Sequence, residues 1–121
     1  MVSVPNLSFL DLSQNKLTEI GVLQSNTNLK TLILSKNLIT KITNLSSFQN
    51  LDTLDLHENL IGPNLDFDIF SCLSQIKTIN LSYNKIENVT FNQQFKTLKE
   101  LNLRQNKITG IKFGCEIMPG L

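Results

Sequence analysis

One string, Leu-x-x-Leu-x-Leu-x-x-Asn-x-Leu with isoleucine tolerated at several apolar positions, occurs five times in this chain of 121 residues. The copies start at Leu7, Leu29, Leu51, Ile76 and Leu98, at steps of 22, 22, 25 and 22 residues. No other feature constrains the fold as strongly. A unit this short cannot bury its own apolar face, so copies must stack and share one continuous core. Within each copy the Leu-x-Leu centre alternates with period two, the mark of a short strand with one face buried. Strands of successive copies are therefore expected side by side in one parallel sheet, lining the concave side of a single array over residues 1–121.

The second half of each repeat follows another rhythm. Ile39, Ile42, Leu45 and Phe48 recur every third residue, a spacing that suits a 3₁₀-like or irregular arc. The other arcs offer Leu17, Ile20, Val22 and Leu23; Ile86, Val89, Phe91 and Phe95; and Ile108, Ile111, Phe113 and Ile117. Repeat three departs from this. Gly62-Pro63-Asn64 breaks the chain, and residues 66–74 are expected to form one or two helical turns capped by Asp66 or Asp68. Its three extra residues should bulge on the convex side. The fold class is α/β: a solenoid with a concave parallel sheet and mostly 3₁₀ or irregular convex arcs.

A column of asparagines, Asn15, Asn37, Asn59, Asn84 and Asn106, closes each strand. Its regularity is structural in origin. Backbone groups at an inward-facing turn must find partners, and an amide side chain offers both a donor and an acceptor.

Bulk properties exclude several classes. The formal charge is +1 and charged residues make up 17% of the chain, which gives no reason to expect a nucleic acid partner. No apolar run is long enough to span a bilayer, so no membrane partner is expected. The N-terminal Met-Val-Ser-Val-Pro has neither a basic leader nor an apolar core, so any secretion signal lies outside this sequence. Cys72 and Cys115 fall at equivalent turns two repeats apart, which places them about 10 Å from one another, too far for a disulfide. Both are read as reduced and mostly buried. Neither end carries a polar or cysteine-rich cap, so the chain reads as part of a longer array, or as one whose ends self-associate.

These residues resemble leucine-rich-repeat proteins from Leu7 to about Ile117. Repeat two, with N-x-I-x-x-I-x-x-L-x-x-F-x-x-L over residues 37–51, is most similar to the short-repeat class typified by the regulatory subunit of protein phosphatase 1. In repeats four and five Phe91 and Phe113 shift the apolar beat by one residue, toward forms seen in receptor ectodomains. The resemblance implies a horseshoe-like solenoid that binds proteins, or sometimes other ligands, on its concave face; no cofactor is expected. It names no partner.

On that face the x positions of the string form columns. The central one is Asp11, Ile33, Asp55, Asn80 and Asn102; beside it run Phe9, Thr31, Thr53, Thr78 and Glu100, and on the other side Ser13, Ser35, His57, Ser82 and Arg104. The next is Gln14, Lys36, Glu58, Tyr83 and Gln105. Phe9 and Ile33 stand out as apolar residues on a polar face; Tyr83 and Arg104 are types enriched at binding hot spots. Asp55, His57 and Glu58 make the middle repeat distinctive, so these seven are the partner-binding candidates.

Asp55, His57 and Ser82 also have the residue types of acid, base and nucleophile, but serine at Ser13 and Ser35 shows that Ser82 follows the repeat consensus. An open sheet also lacks an oxyanion hole and a pocket that excludes water. No catalytic residues are expected. Asp55, His57 and Asn80 lack a firm third metal ligand, so no metal site is expected either. The chain reads as a protein-interaction module, a cytoplasmic or nuclear scaffold or regulatory adaptor. The alternative is a fragment of an extracellular receptor-type ectodomain, to which the glycosylation sequons at Asn6, Asn44, Asn80 and Asn88 lend weak support.

Overall fold

The computed structural model describes residues 7–20, 28–43, 45–92 and 95–113. Eight short strands are present among them: β1 Phe9–Asp11, β2 Thr31–Ile33, β3 Thr53–Asp55, β4 Asn64–Asp66, β5 Thr78–Asn80, β6 Asn88–Phe91, β7 Glu100–Asn102 and β8 Gly110–Phe113. One 3₁₀ turn spans Phe67–Phe70.

The concave sheet forms as the repeat predicts. Its order is β1-β2-β3-β5-β7, all parallel. The register aligns the string with itself: Leu10, Leu32, Leu54, Ile79 and Leu101 form one row, and Asp11, Ile33, Asp55, Asn80 and Asn102 the next. Leu32, Leu54 and Ile79 are fully buried, whereas their strand neighbours are half-buried, as period two requires. Behind the sheet the leucines and isoleucines of repeats two to four pack with Phe48, Phe67 and Phe70 in one core.

Each strand ends in the same turn. Gln14, Lys36, Glu58, Tyr83 and Gln105 all have positive φ, between 55° and 58°. A left-handed L-residue costs roughly 1–2 kcal/mol. The turn recovers this by keeping the ladder intact: the Glu58 N–H donates to Ser82 O at 3.0 Å and the Tyr83 N–H to Arg104 O at 2.9 Å. The kink also turns the next residue, the ladder asparagine, inward.

There the asparagines satisfy the backbone as expected, with a detail the spacing does not reveal. Asn59 Nδ2 donates to Leu56 O in its own repeat at 3.0 Å and to Leu34 O in the preceding one at 2.9 Å, while its Oδ1 accepts the Ile39 N–H at 3.1 Å. Asn37, Asn84 and Asn106 repeat the pattern. The carbonyls of Leu12, Leu34, Leu56 and Leu81 thus each receive two amides, one from their own repeat and one from the next. Asn15 is exposed and, among the described residues, bonds only Leu12 O and Ser13 O.

The convex side differs from a run of irregular arcs. Repeat two keeps its three-residue beat, with the Phe48 N–H donating to Leu45 O and the Leu51 N–H to Phe48 O. Repeats three to five instead contribute β4, β6 and β8 to a second parallel sheet in that order. The reason is written in the residues: Leu65-x-Phe67, Val89-x-Phe91 and Ile111-x-Phe113 alternate with period two, so the shift of beat at Phe91 and Phe113 is a strand signal. Phe67 then packs against Phe70, Phe91 and Phe95, with ring centroids 4.8–5.0 Å apart. The helical turn of repeat three is a single 3₁₀ turn, capped by Asp66, whose carboxylate accepts the Asp68 N–H at 3.0 Å.

Gly62 opens this second sheet. Its φ is +143°, and a Cβ there would collide with the Lys85 carbonyl of the next repeat. Only glycine fits. Cys72 is half-buried with a free thiol, and burial raises its pKa. Cys115 lies outside the described residues, as do Val22, Leu23, Ile117, and the sequons' Asn6 and Asn44.

Candidate functional site

The concave sheet is a shallow, largely polar face, and the fold itself uses several of its side chains. At the ends of four of the five concave strands the side chain of the central column turns back to cap the chain. Asp11 Oδ1 accepts the Ser13 N–H at 2.9 Å, Asp55 Oδ1 the His57 N–H at 3.1 Å, Asn80 Oδ1 the Ser82 N–H at 3.0 Å and Asn102 Oδ1 the Arg104 N–H at 3.1 Å. These are Asx turns, the local bond that aspartate and asparagine form with the backbone two residues on. The hydrogen bonds from Ser13 hold the exposed Asp11 carboxyl below its ordinary pKa. The sequence carried this signal as a recurrent Asp or Asn two residues before Ser13, His57, Ser82 and Arg104. Ile33 interrupts the column in repeat two. It is the one central residue that cannot cap.

The candidate residues therefore differ in what they leave free for a partner. Phe9, at the start of β1, is 55% exposed, and Tyr83 is 48% exposed. Ile33 is half-buried between its neighbours on the sheet. Asp55 and His57 form a pair, with Asp55 Oδ1 2.6 Å from His57 Nδ1. The same carboxylate oxygen thus meets both the backbone N–H and the ring of His57, which holds the imidazole beside the strand end. Glu58, in the left-handed turn, meets Lys36 of the preceding repeat at 3.8 Å, an exposed pair worth little on its own. Arg104 is exposed. These residues share one face but do not converge on one pocket.

The serines that stand beside His57 in the neighbouring strands, Ser35 and Ser82, are buried. The Ser82 hydroxyl donates to Asn80 Oδ1 at 2.7 Å, so it is engaged within its own turn rather than by His57. Among the described residues no three His, Cys, Asp or Glu side chains group closely enough to hold a metal ion. No helix among them is long and apolar enough to cross a membrane.

Parallel strands stacked in register, a sheet on the concave side and an asparagine at each turn define a repeat solenoid. Family models assign the repeat itself. One for two copies of the leucine-rich repeat matches residues 5–48, and one for a single leucine-rich repeat matches residues 96–111. The chain carries leucine-rich repeats, and the repeats between those matches continue the same register. No match was found among curated proteins. Leucine-rich repeats in general mediate protein–protein interaction and are typically non-enzymatic.

Proposed function

We propose that this chain is an intracellular scaffold or regulatory adaptor that binds a protein across its concave sheet, with Phe9, Ile33, Asp55, His57, Glu58, Tyr83 and Arg104 as the contacting residues. The observation that carries the reading is the exposure of two aromatic side chains, Phe9 at 55% on β1 and Tyr83 at 48% in the turn after β5, beside a largely polar sheet face. Aromatic anchors surrounded by polar groups are the composition of interface cores. The free thiol of Cys72 fits a reducing compartment. Repeat two supports the short-repeat class, since its arc keeps the three-residue beat and contributes no strand to the second sheet.

A quantitative pull-down tests this, comparing the wild type with the Phe9→Ala, Ile33→Ala, Tyr83→Ala triple variant by mass spectrometry of what each retains. The triple variant should lose the specific partners. Equal recovery would remove the concave-face assignment. Glycan on Asn88, which is exposed, in protein secreted by its native host would instead favour the receptor-type ectodomain.

A further inference from the structure

Beyond the strand ends, a second column of side chains crosses the solenoid. The residue after each ladder asparagine is Lys16, Leu38, Leu60, Lys85 or Lys107, and all five are exposed. Backbone bonds hold them in register: the Leu38 N–H donates to Leu17 O at 2.8 Å, Leu60 to Ile39 O at 2.9 Å, Lys85 to Ile61 O at 2.8 Å and Lys107 to Ile86 O at 3.0 Å. The core does not need these side chains. Leu38 is 43% and Leu60 40% exposed, side by side in adjacent repeats, although position for position the other repeats place lysine there. Among the described residues no ion pair engages Lys16, Lys85 or Lys107. Glu58, two residues before Leu60, is taken up by Lys36; Glu87, two residues after Lys85, makes no ion pair with it.

We propose that this rim is a docking strip for an extended acidic segment of a partner protein, with carboxylates at both ends and apolar side chains between. The charge order carries the argument. A cation stands at one end, two adjacent leucines occupy the middle, and two cations stand at the other end. An anionic chain that is apolar only at its centre complements this order; a wholly polar polyanion leaves the leucines wet. Layers advance by about 4.8 Å, so the column from Lys16 to Lys107 is about 19 Å long. At about 3.3 Å per residue, roughly six extended residues cover it. The strip lies beside the concave face and acts independently of it.

Fluorescence anisotropy with a labelled six-residue peptide tests the proposal on the full chain. The peptide carries one glutamate at its first position, leucine, serine and leucine next, and two glutamates at its end; a control carries lysines in place of the glutamates. The acidic peptide should bind and the control should not. Affinity should fall at least tenfold in Leu38→Ser, Leu60→Ser and again in Lys16→Glu, Lys85→Glu, Lys107→Glu, with circular dichroism unchanged because all five side chains are exposed. Equal binding of both peptides, less than a twofold change in either variant, or equal binding of a short heparin fragment would each overturn it. Thr53→Arg, which obstructs the concave sheet, separates the two surfaces. Peptide binding lost in that variant and kept in the rim variants would move the peptide to the concave face, leaving that reading standing and this one overturned.

Discussion

Replacing Asn59 by leucine should weaken the whole array, and the shared carbonyls set the magnitude. The side chain is 4% exposed and makes three bonds to the backbone of two repeats at 3.1 Å or less. Leucine has nearly its shape but none of its polar atoms. Two of the losses are partial, because Leu34 O keeps the amide of Asn37 at 3.0 Å and Leu56 O keeps that of Asn84 at 3.0 Å. The third is complete: the buried Ile39 N–H has no other acceptor in the turn. An orphaned buried donor costs about 1–3 kcal/mol and each weakened carbonyl adds about 0.5–1 kcal/mol, so the total is about 2–5 kcal/mol. With a urea dependence of about 1–3 kcal/mol per molar, the unfolding midpoint should fall by on the order of 2 M. Asn15→Leu is the internal control, because Asn15 is exposed and the Leu12 O it contacts also receives Asn37 Nδ2 at 3.0 Å. It should cost under about 1 kcal/mol. Urea melts followed by far-ultraviolet circular dichroism compare the two. Equal midpoints for Asn59→Leu and Asn15→Leu would refute the claim that the asparagine column stabilises the stack by satisfying buried backbone.

Three further outcomes are expected. Gly62→Ala should destabilise by about 3 kcal/mol or more, since it combines positive φ with a collision against the Lys85 backbone; a thermal melt within two degrees of wild type would contradict this. The depressed pKa of Asp11 means that its contribution is present above the ordinary carboxylate range and lost as pH falls through the lower folded value. Asp11→Asn should therefore keep the turn, as Asn80 and Asn102 do, while removing that acid-sensitive part; a carboxyl carbon titration of Asp11 at an ordinary midpoint would sink the argument. Finally, β7 and β8 end their sheets among the described residues, and Ile111 is 52% exposed, so the isolated chain should self-associate. Sedimentation showing a concentration-independent monomer with a high melting temperature would speak against it.

The repeat string by itself determined the concave sheet, its register and the asparagine column, and the residues that follow it in repeat three separately marked the turn capped by Asp66. Each follows from local rules, because period two and a turn-forming residue act within one repeat and stacking copies them. The candidate face was legible only as columns. That Asp11, Asp55, Asn80 and Asn102 spend an oxygen on the backbone, while Phe9 and Tyr83 stay exposed, depends on how each strand end turns. Tertiary structure alone decided what joins one repeat to the next. It gave the carbonyls of Leu12, Leu34, Leu56 and Leu81 a second amide from the next repeat, and it joined the alternating stretches of β4, β6 and β8 into a second sheet. It also aligned Leu38 with Leu60 on the rim. The physical reason is common to all three. A hydrogen bond between repeats joins residues 20 or more positions apart, and whether it forms depends on the layer that stacks against it rather than on neighbours in the chain.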